Sequence, residues 1–63
     1  MKKGYTVSVS VRDENYPQVI ESVNIYSNGN VWEIQEAAKR QVQQRSYPGV
    51  PLHHFYVIGM RPL

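Results

Sequence analysis

The chain has no cysteine, and its only histidines are the neighbours His53 and His54. Without thiols no disulfide can staple the fold and no thiolate can hold zinc, so stability has to come from side-chain packing or from self-association. No apolar run approaches the length of a membrane span. The residues after Met1, Lys2 and Lys3 alternate polar and apolar instead of forming a continuous apolar core, so no export signal is read there and a soluble, cytoplasmic protein is expected. Glycines 4, 29, 49 and 59 stand singly, which excludes a phosphate-cradling loop. A single-signed charge excess is also lacking. Seven Lys and Arg against five Asp and Glu leave a formal charge of +2, with both signs interspersed as on an ordinary solvated surface. Sixty-three residues make one domain, 1–63, near the lower limit at which one core suffices.

What the chain does have is one long helical pattern. Between Asn30 and Tyr47, residues Val31, Ile34, Ala38 and Val42 fall on a single stripe at 3.6 residues per turn. Glu33, Glu36, Arg40, Gln43 and Gln44 fall opposite, and Glu36 can meet Lys39 or Arg40 one turn on. Asn30 is placed as N-cap with Glu33 at the third helical position, an Asn variant of the capping box. Pro48 ends the helix, because the residue before proline is pushed out of the α region. A helix of about 16 residues with so narrow a stripe needs another layer to cover it.

Three strands supply that layer. In residues 5–11, Tyr5, Val7, Val9 and Val11 alternate with Thr6, Ser8 and Ser10. The cluster Arg12–Pro17 is a turn, with Asp13, Asn15 and Pro17 as its turn residues. Residues 18–26 form a second strand with Val19, Val23 and Ile25 on one face; Glu21 interrupts that face and predicts a bulge or an edge position. After the helix, Pro48-Gly49 suits a type II turn with φ > 0 at the glycine, and the Tyr47–Pro48 bond is read as trans. Residues 53–60 form the third strand, with Phe55, Val57 and Gly59 on one face and His54, Tyr56, Ile58 and Met60 on the other. A one-residue slip would exchange these two faces. The fold class is thus α+β, β-β-α-β, a three-stranded antiparallel sheet in the order 2-1-3 with one helix on one face. The expected core is Val7, Val9, Val11, Val23, Ile25, Val31, Ile34, Ala38, Val42, Phe55 and Val57. Trp32 is expected to cover a core edge, and Tyr16 and Tyr47 to pack in loops.

No catalytic chemistry is legible. Adjacent strand residues point to opposite faces, so His53 and His54 cannot chelate one ion, and no Ser, Asp or Glu is tied to either by spacing. Neither metal nor cofactor is expected, and the chain is not read as an enzyme. The feature that invites a function is the double-sided apolarity of residues 54–60, since an apolar patch on a sheet left uncovered on one side marks a partner or dimer interface.

The ending Phe55-Tyr56-Val57-Ile58-Gly59-Met60-Arg61-Pro62, reached after a hairpin and a helix, resembles that of the small inhibitors of bacterial RNA polymerase made by short-tailed T-odd coliphages. The resemblance spans the last half of the chain. It implies a non-enzymatic modulator that sticks to a host protein. In that family a pair of arginines near the end of the last strand contacts the jaw of the polymerase β′ subunit, and acidic residues add to the inhibition. Arg61 matches one of the pair; the other falls at Gly59, and this helix is more basic than the family's.

Two functions of different classes follow. The first is a protein-binding module that meets a host protein, or a second copy of itself as a homodimer, with His54, Tyr56, Ile58, Met60 and Arg61; the open edge of strand two or three could add a partner strand. The second is single-stranded nucleic-acid binding on the open sheet, with Tyr26 and Tyr56 stacking on bases and Arg12, Lys39 or Arg61 reaching phosphates.

Overall fold

A computed structural model describes residues 2–63, apart from the side chains of residues 16 and 17. The order is β1 (Lys3–Asp13), β2 (Tyr16–Ser27), α1 (Val31–Ser46), a 3-10 turn at Leu52–His54, and β3 (Phe55–Pro62). The three strands form one antiparallel sheet in the order β2-β1-β3, and α1 packs on one of its faces. This is the α+β architecture the alternation and the helical stripe predict. No helix among the described residues is long and apolar enough to cross a membrane.

Both hairpin strands run past the apolar alternation, because pairing continues until the turn closes it. The turn is only Glu14-Asn15, held by an Asn15 N–H donating to Asp13 Oδ1 at 3.0 Å. The hydroxyl and amide side chains of Thr6 and Asn24 meet at 3.0 Å across the strands, and the Ser8 and Ser22 hydroxyls lie 3.4 Å apart. Such cross-strand polar pairs suit a face that water reaches. Glu21 sits on the helix side of β2, an edge strand, and its carboxylate accepts from Arg45 Nη2 at 3.1 Å. The expected edge position is therefore present, but the β1–β2 ladder is regular at Glu21 and no bulge occurs there.

Asn30 caps the helix: its side chain accepts the Glu33 N–H at 2.9 Å. Glu36 pairs with Lys39 one turn along. The helix ends where the Tyr47 N–H reaches the Gln43 carbonyl, before trans Pro48. The turn that follows is closed by Val50 N–H to the Tyr47 carbonyl at 3.1 Å, and no described glycine has positive φ. The type II turn expected at Pro48-Gly49 is therefore corrected: both central residues stay at negative φ, as in a type I turn.

The core is built from alternate residues of the strands and one stripe of the helix. Val7, Val9, Val11, Val23, Ile25, Ile34, Ala38, Val42, Val50 and Phe55 are buried, with Tyr5, Tyr47, Leu52, Val57 and Met60 packed against them. Val31 is 54% exposed, so the stripe contributes three buried residues instead of four. Its place in the core is taken by Val50, delivered by the corner after the helix. Trp32, at 67% exposure, does not cover a core edge. Tyr47 packs edge-on to Phe55, with ring centroids 6.4 Å apart; the matching expectation for Tyr16 falls outside the described residues.

Because the helix covers the only sealed face, its start matters to the whole domain. Asn30→Ala removes the acceptor of the Glu33 N–H and should cost about 1 kcal/mol, which is roughly 4–8 °C in Tm for a domain of this size. Asn30→Ser should keep most of the stability; thermal melts of the two variants check this.

Candidate functional site: the open face of the sheet

Strand register decides which side chains face away from the helix. Directly paired residues share a face, so Thr6, Ser8 and Ser10 of β1 lie with Asn24, Ser22 and Ile20 of β2, and with Arg61, Gly59 and Tyr56 of β3. Gly4 pairs with Tyr26 at one end of this face. A Cβ at Gly4 would stand 2.7 Å from Tyr26 Cε1 and 2.8 Å from Leu63 Cδ1, so the bare backbone lets these two side chains close over it. At the other end the Arg12 guanidinium lies 5.3 Å from the centre of the Tyr56 ring, a cation–π contact.

One irregularity governs β3. Ser8 pairs with Gly59 and Val9 with Val57, which leaves Ile58 as an extra residue. Such a bulge resets the alternation of everything after it. Tyr56 faces the open side and Ile58 is exposed beside it, as expected; Met60, however, pairs with buried Val7 and packs against the core. The expectation that Met60 shares the open face is therefore corrected. Arg61, one residue on, returns to the open side opposite Thr6.

His54 is the second correction. Residues 52–54 form a 3-10 turn, so His53 and His54 do not alternate as strand residues; their rings meet edge to face with centroids 4.4 Å apart. The His54 ring is drawn to Asp13, whose carboxylate Oδ2 accepts from Nδ1 at 2.9 Å. This contact ties the hairpin end to the start of β3 and takes His54 away from the open face. Asp13 is the acidic partner that spacing alone did not reveal. Lys39 lies on the helix, paired with Glu36, and is not part of the sheet surface.

Of the residues expected to meet a protein, the structure thus gathers Tyr56, Ile58 and Arg61. Of those expected to meet nucleic acid, it puts four on this side of the sheet but not together: Tyr26 and Arg61 lie towards one end, Arg12 and Tyr56 at the other. Two further residues belong to the same surface. Ile20, more than half exposed, flanks Ser10 from β2 while Tyr56 flanks it from β3. Its even-numbered spacing from Ser22, Asn24 and Tyr26 is a signal that could have placed it. Ser10 itself is fully buried between them, and its hydroxyl has no hydrogen-bond partner among the described residues. All carboxylates with described partners are engaged elsewhere: Asp13 with His54, Glu21 with Arg45, Glu36 with Lys39.

No group of three His, Asp or Glu side chains able to hold a metal occurs among the described residues. A shallow hollow of about 200 Å³ lies between Lys3, Tyr5, Ser27, Asn28 and Gly29 at the end of the sheet. It is smaller than the roughly 300 Å³ at which small-molecule sites begin.

Two predictions follow from these contacts. The Asn15 N–H and then the His54 ring hold the Asp13 carboxyl below its ordinary value of 3.8, outweighing a partial loss of hydration that pushes the other way. A depressed carboxylate adds stability above its unfolded pKa and loses it as pH falls through the folded value. Tm should therefore drop as pH is lowered below about 4, and Asp13→Asn should flatten that part of the profile. Ser10→Ala, which deletes an orphaned buried hydroxyl, should leave Tm unchanged or raise it, since the desolvated group is removed together with its cost. Comparison of the chain with protein-family models, with curated proteins and with solved structures yields no match.

Proposed function

We infer that this chain is a small non-enzymatic protein-binding module that meets its partner with the open sheet face around Tyr56, Ile58 and Arg61. The observation that carries this reading is the exposure of Ile20 on β2 and of Tyr56 and Ile58 on β3, on either side of the central strand, on a face that no helix covers among the described residues. Apolar side chains grouped in this way are a cost in water that a partner surface relieves. Arg61 stands at the rim, suited to orienting a partner through a charged hydrogen bond. The likeness of Phe55–Pro62 to the phage inhibitors makes a host protein the natural partner, with RNA polymerase as one candidate, and the cytoplasm the natural setting.

A second reading is single-stranded nucleic-acid binding, favoured by the placement of Tyr26, Tyr56, Arg12 and Arg61 on one face. Against it stand the aliphatic side chains Ile20 and Ile58 within the same surface, which offer no stacking plane, and the small number of cations available for phosphates.

Capture of the tagged chain from a host lysate, with and without nuclease, separates the two. A protein retained after nuclease treatment and lost with Tyr56→Ser/Ile58→Ser is the expected result. The double variant should remain folded, because both side chains are about half exposed; its unfolding would make them core and sink the reading. Loss of all bound material on nuclease treatment, with oligonucleotide affinity that falls steeply as salt rises, would transfer the function to nucleic acid.

A further inference from the structure

The sheet ends in two edges that differ in what they can accept. β3 is blunted: the Ile58 bulge breaks its regular run, and Pro62 has no N–H to give. β2 is not. From Val19 to Ser27 it pairs with β1 through nine consecutive partners without a bulge, and this run contains no proline and no lysine. Its one charge, Glu21, is on the helix side and neutralised by Arg45. The outer backbone groups of β2 thus form a long, regular template for another strand.

We propose that β2 pairs antiparallel with β2 of a second copy about a two-fold axis at Val23, joining two sheets into one of six strands. For the helices to remain on one side of a continuous sheet, directly opposed residues must share a face, so residue numbers across the axis sum to an even value. The register centred on Val23 sets Ile20 against Tyr26 of the second copy, and Tyr26 against its Ile20. Among the described side chains of β2, these are the two large apolar ones left in water, at 55% and 61% exposure. Aromatic and β-branched residues directly opposed across strands are a favourable pair. Ser22 then meets Asn24 of the second copy, polar against polar, and no like charges are directly opposed. The register centred on Ser22 instead sets Ile20 against Asn24 and leaves Tyr26 beside Gln18.

Charge complements this direction of pairing. Asp13 and Glu14, against the single cation Arg12, lie at the hairpin end of each sheet, and Lys2 and Lys3 at the other. Antiparallel pairing sets the acidic end of one copy beside the basic end of the next, twice by symmetry; parallel pairing would align like with like. The strip buried is about 30 Å long, nine residues at about 3.4 Å each, and as deep as the 16 Å short axis of the molecule. That gives roughly 1,000 Å² over both copies, the lower bound of a specific interface, so the dimer forms and dissociates with concentration.

Sedimentation equilibrium of the full chain over a thousandfold range of concentration tests the association. The mass should rise from 7.3 kDa towards twice that value, and Ser22→Lys should weaken the dimer at least tenfold while the far-ultraviolet spectrum stays unchanged. A second test does not depend on that variant. The chain has no cysteine of its own, so a mixture of Ser22→Cys and Asn24→Cys chains should form disulfide-linked dimers faster than either alone, since two copies of position 22 stand too far apart in this register. Three outcomes would overturn the proposal: a mass of 7.3 kDa at every concentration, Ser22→Cys linking to itself as fast as the mixture, or a dimer that survives Ser22→Lys but is lost with Tyr56→Ser/Ile58→Ser. The last would mean that the copies meet through their open faces.

Discussion

A single helix can seal only one side of a three-stranded sheet, and most of this molecule follows from that constraint. Val7, Val9 and Val11 of the central strand are wholly buried because Ile34, Ala38 and Val42 close over that side. The alternation that sends these valines inward sends Thr6, Ser8 and Ser10 outward, with no second layer to receive them. Hydroxyl and amide pairs settle the middle of the open side, where Thr6 meets Asn24 and Ser8 approaches Ser22. Towards the hairpin end that solution stops. There Ser10 is enclosed between Ile20 and Tyr56, a serine buried on the nominally wet side of a sheet. Large side chains at these two edge positions create a local apolar surface with nothing above it among the described residues.

The bulge at Ile58 has consequences at both ends of β3. Without the extra residue, strict alternation from Phe55 would put Met60 in water and Arg61 against the helix side. With it, Met60 packs on the core and Arg61 reaches the open side, so one inserted residue corrects two placements at once. The same irregularity weakens β3 as a template for another strand.

Elements set by local pattern were legible in the sequence; those set by contacts between distant residues were not. The alternation of Tyr5–Val11 and the stripe Ile34-Ala38-Val42 each report a face directly, and with the connection lengths they suffice for the strand order. Asn30 was readable as a cap because its acceptor and the Glu33 N–H are three residues apart. The Asp13–His54 contact joins residues 41 apart in sequence, and no periodicity encodes it. Met60 was misplaced because a bulge has no signature in an apolar run whose two faces look alike. Val31 differs for another reason: it is the first residue of the helix and stays 54% exposed, and a stripe calculated from angle alone does not know where its partner layer stops.

The proposed partner capture and the proposed self-pairing make different demands on the same sheet, and Ile20 is the one residue they share. Pairing through β2 uses backbone groups in the plane of the sheet, whereas the open face offers side chains perpendicular to it. Tyr56, Ile58 and Arg61 are on β3, the strand farthest from the β2 edge, and so stay free in a pair joined there. Such a pair would carry two copies of the open face on one continuous side, related by the same two-fold axis. A partner with a repeated or symmetric surface would then meet both copies at once, and a modest contact at each would be raised by the high local concentration of the second. A small, weakly apolar face can in this way hold a partner that a single copy would release.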